Sequence, residues 1–323
     1  MLTIVIPEME NGNSIISEIA RIKKEKNAII LAHYYQTGDI QDIADFVGDS
    51  LALAQKAASN DADIILFAGV KFMAETAKIL SPEKKVLLPD MAAGCSLSDS
   101  CNPVDFSIFL KENPGRTVIT YVNTSAEVKA MSDIICTSSN AVAIVESLPK
   151  DEKIIFAPDR NLGNYILNKT GRDMLIWNGA CHVHEEFSLE AIIKLQEKYP
   201  EAKLIVHPEC QLPIRMIADY IGSTSSLLSY IKNDNASNYI IATEPGIIHQ
   251  MIKARPEKNF IPAPPKDSTC ACSECNFMKL ITVKKIYQTL LSEKPEIILE
   301  EDIILRAVKP IRRMLDISAA LGL

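Results

Sequence analysis

Residues 27–57 read NAIILAHYYQTGDIQDIADFVGDSLALAQKA, and this stretch decides the fold because the chain carries it three times. Its apolar run, polar loop and helical periodicity predict a strand, a turn and a helix. The same order recurs in RTVITYVNTSAEVKAMSDIICTSSNAVAIVES (116–147) and in AKLIVHPECQLPIRMIADYIGSTSSLLSYIK (202–232). The copies superpose without a gap at offsets of 88 and 86 residues. His33, Tyr121 and His207 become equivalent, as do Tyr35, Asn123 and Glu209, then Asp45, Asp133 and Asp219, then Ser50, Ser138 and Thr224.

Each copy continues with a second strand (DADIILFAG, EKIIFAP or NYIIATEPG), a helix and a third strand, and each ends at a cysteine. Strands alternating with helices over short loops predict an α/β fold. It comprises three pseudo-symmetric repeats of a small parallel three-layer αβα domain around a central active site. The expected limits are 14–101 with an N-terminal segment 1–13, then 102–187, 188–275 and a C-terminal helical segment 276–323 that packs back on the repeats. Ligands of such sheets bind at the carboxyl ends of the strands, where the shared polar positions fall. Capping and turn chemistry account for Asp45, Asp133 and Asp219. They give no reason to choose imidazole, phenol or a long carboxylate at His33, Tyr121, His207 and Glu209, so these point to a site.

At 323 residues, with 47% apolar and 23% charged side chains, the chain suits two or three globular cores. A net charge of −7 argues against a nucleic-acid partner, since such affinity comes from clustered Lys and Arg. No window approaches the roughly 18 apolar residues of a spanning helix, and the N-terminus lacks the features of a signal peptide, so no membrane is expected and a cytoplasmic location is. Eight cysteines in such a protein read as thiols, metal ligands or catalytic groups.

Cys95 and Cys181 close the first two repeats in the contexts AAGC and NGAC, while the third ends in CACSEC with Cys270, Cys272 and Cys275. Cys101, Cys136 and Cys210 have no counterparts. One thiolate per repeat gives three ligands, a number that leaves one iron of a [4Fe-4S] cluster open, whereas structural zinc takes four. Repeat spacing alone favours a third ligand near Cys270.

The ordered motifs LAHYYQ, GDSL, MAAGCSL, YVNTSAEVKA, CTSSNA, PDRNLG, WNGACHVHE, HPEC, IGSTS and KPIRRML resemble the quinolinate synthase family over nearly the whole chain. The resemblance implies a transferase of NAD biosynthesis that condenses iminoaspartate with dihydroxyacetone phosphate, losing phosphate and two waters. It implies one [4Fe-4S] cluster on Cys95, Cys181 and Cys275, whose open iron acts as a Lewis acid. Asn276 stands where the family is expected to have Pro. Glu209 is implied as principal base with Tyr35, Tyr121 and His207 in proton transfer. His33, Tyr121, Asn123, His184, His207 and Glu209 would position substrate, and Ser50, Ser138 and Thr224, near helix starts, would bind carboxylate or phosphate. His182 and His249 read as structural and Arg160 as a surface cation. A functional link to an iminoaspartate-producing enzyme is the implied partnership.

Overall fold

The computed structural model describes residues 12–267 and 273–323. Its strands form three four-stranded sheets, parallel at every pairing. The first contains β1 (Ala28–His33), β2 (Phe46–Gly48), β3 (Ile64–Ala68) and β4 (Lys85–Leu87). The second contains β5 (Thr117–Tyr121), β6 (Ile134–Cys136), β7 (Ile154–Ala157) and β8 (Met174–Ile176). The third contains β9 (Lys203–Val206), β10 (Tyr220–Ile221), β11 (Asn238–Ala242) and β12 (Asn259–Pro262). All three share one strand order, β2-β1-β3-β4 and its equivalents, so the α/β architecture expected from the repeat is present.

The central strands are mostly apolar because helices cover both faces. Ile64–Ala68 is buried at every residue, and so is Ile154–Ala157. At about 1.5–3 kcal/mol for each large aliphatic side chain removed from water, these strands anchor their layers. Register confirms the repeat independently: Ala32 pairs with Ala68, Thr120 with Ala157 and Val206 with Ala242.

Asp45, Asp133 and Asp219 do the same structural job in each copy. Their carboxylates accept the amides of Ile30, Val118 and Leu204 at 2.7, 2.8 and 2.7 Å. Each aspartate's own N–H returns a 2.9 Å bond to the same residue's carbonyl. The pair locks the chain beside the first strand before the next element begins, as turn chemistry alone had suggested.

One element departs from the sequence reading. The loop between the first strand and its helix contains a short helical segment and a further strand, β2, β6 or β10, so each sheet has four strands rather than three. These strands span two or three residues, too few for any period to show.

Repeats one and two share a continuous core that also takes in the C-terminal helices, whereas the third sheet has its own core on each face. Helix Glu301–Ala320 buries Ala307, Ile311 and Met314, an i, i+4, i+7 stripe. Near its end, Ser318 Oγ accepts from Asn140 Nδ2 at 2.9 Å. Among the described residues, no helix is long and apolar enough to cross a membrane.

Candidate active site

Strand order reverses between the first and third strand of each sheet, and ligands of open α/β sheets bind at that switch point. The three switch points face one cavity. It brings together the residues expected from the sequence to act in catalysis, substrate binding and metal ligation. His33, Tyr35, Ser50 and Cys95 come from the first repeat, and Tyr121, Asn123, Ser138, Cys181 and His184 from the second. His207, Glu209, Thr224 and Cys275 complete the wall. Val70, Phe72, Met73, Val183 and Met278 supply an apolar lining that limits water.

Glu209 lies at the centre of the polar contacts and is 2% exposed. The Tyr121 hydroxyl donates to its Oε1 at 2.6 Å. His184 Nδ1 stands 3.1 Å from Oε2 but off the line of a hydrogen bond, and it has no other partner. His184 Nε2 meets Thr243 Oγ1 at 3.1 Å, and that hydroxyl lies 2.7 Å from Tyr35 OH, which also meets Thr224 Oγ1 at 2.9 Å. A polar chain therefore runs from Tyr35 to Glu209 across elements of all three repeats. Asn123 Oδ1 is buried with no hydrogen-bond partner, an uncommon state for a native side chain and one that suits a substrate donor.

Local geometry fixes the imidazoles. His33 Nδ1 accepts from the Tyr35 amide at 3.2 Å, and His207 Nδ1 accepts from the Glu209 amide at 3.4 Å. Both rings consequently carry their proton on Nε2, and that of His207 lies 3.2 Å from Ser138 Oγ. Ser50 and Thr224 are the first residues of helices Ser50–Ala58 and Thr224–Asn233. Ser138 lies just ahead of Asn140, which caps the short helix Ala141–Glu146.

Burial lowers His33 to about 4 and His207 to about 3, so both rings are neutral at pH 7. Burial opposes the charged form of Glu209 too, but His184, His207 and the Tyr121 hydroxyl outweigh it and hold the group on the carboxylate side. With His207 itself neutral, the ring's charge adds little at pH 7, and the Tyr121 bond is the firmer cause. Tyr35 and Tyr121 are pushed well above 10, by burial first and then by Glu209. The site thus sets the Glu209 carboxylate near two protonated phenols.

The histidine shifts make a stability prediction. Both folded values lie below the unfolded value near 6.5, so protonation favours the unfolded chain. Their contribution is complete above about pH 6.5 and is lost as pH falls through about 4 and 3. The melting temperature of the metal-free protein should drop steadily from pH 6.5 to 4 in scanning calorimetry. A flat profile would contradict neutral buried imidazoles.

The three cysteines share a local design. Cys95 and Cys181 each precede a single helical turn, Ser96–Asp99 and His182–Glu185, and Cys275 precedes the 3₁₀ turn Met278–Leu280. The amides of Ser98 and Leu97 favour the Cys95 thiolate, that of His184 favours Cys181, and those of Met278 and Phe277 favour Cys275. At Cys95 and Cys181 these amides face the sulfur without closing a full capping hydrogen bond. The turns also touch: Ser96 Oγ lies 2.7 Å from His182 Nδ1, and the His182 ring meets Phe277 edge-on at 6.1 Å. This bonded His182 fits the structural role expected of it, as does His249, 2.8 Å from Asp42. Arg160 pairs with Glu185 at 2.9 Å. Cys101, Cys136 and Cys210 are buried and line no part of the cavity. Cys270 and Cys272 lie outside the described residues.

Sequence reasoning missed four groups. Asp49 lines the cavity and accepts from Ser139 Oγ at 2.7 Å, tying the first two repeats together. Thr243 links Tyr35 to His184. Asp159 and Glu244 are fully buried carboxylates beside Cys181 and Cys275. Their signal was an acidic residue following an apolar strand, which also reads as an ordinary cap.

Residues 17–316 match the family described as quinolinate synthetase A protein. The chain belongs to that family. A Synechococcus protein named quinolinate synthase is 57% identical over 301 residues, covering 93% of this chain and 94% of the relative. Relatives of the same name from Nostoc sp. and Thermosynechococcus vestitus are 57% and 54% identical over 304 and 316 residues. Those matches cover 94% and 98% of this chain and 94% and 99% of the relatives. The family resemblance read from the motifs is thereby established.

The donors on the cavity wall decide what metal it suits. Cys181, His184 and Glu209 place ligand atoms within 4.8 Å of one another, a group able to hold a metal ion. Cys95, Cys181 and Cys275 add three soft donors in turns on the same cavity wall, a donor set that suits zinc or an iron–sulfur cluster.

Proposed function

We propose that the chain is a quinolinate synthase, a cytoplasmic transferase that condenses iminoaspartate with dihydroxyacetone phosphate, releasing phosphate and two waters. Cys95, Cys181 and Cys275, one from each repeat (14–101, 102–187 and 188–275), would hold a [4Fe-4S] cluster. The observation that carries this reading is three cysteines, one from each repeat, set in turns on the wall of the cavity containing Glu209. Such a cluster, with three thiolate ligands, supplies Lewis acidity at its open iron.

The side chains supply binding and proton transfer. Glu209, held as carboxylate, accepts a proton from substrate at Oε2, the oxygen that the Tyr121 hydroxyl leaves free. Tyr121 donates to Oε1 and steadies the carboxylate between proton transfers. Tyr35, through Thr243 and His184, links the far wall to the same carboxylate. Asn123 Oδ1 accepts a substrate N–H or O–H, and the Nε2 protons of His33 and His207 are donors to carbonyl or carboxylate oxygen. Ser50 and Thr224 present hydroxyls and helix N-termini to carboxylate or phosphate, with Ser138 beside them.

Anaerobically purified protein given both substrates should form quinolinate and release phosphate in equal amounts. Iron-replete protein that yields neither product would refute the assignment. Dehydration of a hydroxy acid without phosphate release from the triose would assign a related hydro-lyase chemistry instead.

A further inference from the structure

The equivalent alanines that end the third strand of each sheet, Ala68, Ala157 and Ala242, place Val70, Asp159 and Glu244 at one shared position, two residues onward. Both acidic residues are 0% exposed, although burying a carboxylate is costly unless it is fully hydrogen-bonded. What each binds is the same group. Asp159 Oδ2 accepts the Cys181 amide at 3.3 Å, and Glu244 Oε1 accepts the Cys275 amide at 3.3 Å. Each bond is long for its type, yet it recurs at matching positions of two repeats.

Both carboxylates are held from behind. Asp159 Oδ1 takes the Leu162 amide at 2.7 Å and so caps helix Arg160–Thr170. Glu244 Oε2 takes the Gly246 amide at 2.7 Å, and its Oε1 pairs with Lys279 Nζ at 2.8 Å. Lys279 also donates to the Tyr35 carbonyl at 2.7 Å, and its amide bonds the Cys275 carbonyl at 3.2 Å. A β-carbon at Gly246 would come within 2.8 Å of Glu244 Oε2 and of the Tyr35 carbonyl carbon, so the first and third repeats meet closely at this anchor.

We propose that Asp159 and Glu244 are positioning residues that clamp the backbone of Cys181 and Cys275, fixing two of the three sulfurs at the separation a cluster needs. The inference rests on the cluster reading above and deepens it. Val70, apolar at the shared position, offers no side-chain acceptor in the first repeat. The loop before Cys95 is instead tied by backbone, through the Lys71 amide to the Ala93 carbonyl at 2.7 Å. The thiolate cup is therefore built with one apolar and two carboxylate supports.

The test uses the full cluster-free chain, with iodoacetamide as probe and mass spectrometry of each cysteine peptide. In Asp159→Asn and Glu244→Gln the amide keeps one acceptor oxygen where the carboxylate used both, so folding survives while one N–H is left unpaired. Asp159→Asn should raise alkylation of Cys181 about fivefold relative to Cys95, the ratio that corresponds to about 1 kcal/mol for one hydrogen bond, and leave Cys275 unchanged. Glu244→Gln should do the reverse. Asp45→Asn, which removes a strand lock elsewhere, should alter neither ratio. Buried Cys101, Cys136 and Cys210 report global opening in the same samples. Unchanged ratios in both variants, or equal acceleration at all three cavity cysteines, would overturn the clamp. Iron bound by the reconstituted wild type tests the cluster reading separately, so the two can fail independently.

Discussion

Glu209→Gln is expected to lower turnover by roughly 10²–10⁴-fold, the usual contribution of a positioned acid or base, while fold and iron content persist. The change keeps size and an oxygen for the Tyr121 hydroxyl at 2.6 Å, and it sets an amide nitrogen toward the unpartnered His184 Nδ1. What it removes is the basic carboxylate. A structural carboxylate would show the opposite pattern, with a lower melting temperature and turnover falling only with the folded fraction. Anaerobic quinolinate formation should be measured with iron content and melting temperature on one preparation. Near-normal turnover in iron-replete protein would remove Glu209 from the mechanism.

The second large effect is expected at the cysteines. Cys95→Ser, Cys181→Ser and Cys275→Ser should each lose the cluster and all quinolinate formation, because a hard serine hydroxyl is a poor substitute for a thiolate on iron. Burial raises Cys95 to about 12 and raises Cys181 and Cys275 as well, so the thiolates need the positive charge of bound metal to form. Cys136 is more deeply isolated, pushed above the usual thiol range by burial alone, and borders no part of the cavity. Cys101→Ser, Cys136→Ser and Cys210→Ser should keep the visible absorption of the cluster. Full iron in Cys275→Ser would dismiss it as third ligand.

Much of this site was legible in the sequence because the chain contains three copies of one unit. The offsets of 88 and 86 residues found in the sequence are those of the first strand of each sheet, so equivalences such as Tyr35, Asn123 and Glu209 could be written from the sequence alone. The short strands Phe46–Gly48, Ile134–Cys136 and Tyr220–Ile221 were invisible because they are set by pairing to a neighbour, not by a period of their own. Asp159 and Glu244 escaped for a different reason. Their partners are backbone amides of Cys181 and Cys275, 22 and 31 residues onward, and no residue type at the far end announces the bond. Cys275 could be chosen over Cys270 only by resemblance. Its turn now repeats the setting of Cys95 and Cys181, a likeness of backbone that spacing cannot express.

The central claim is that three sulfurs hold a multi-iron cluster, and the direct measurement is iron and acid-labile sulfide per chain in anaerobically purified protein, with its visible spectrum. The wild-type chain should carry about four of each, and Cys181→Ser should lose both. One zinc or one iron per chain without sulfide, bound through Cys181, His184 and Glu209, would contradict it.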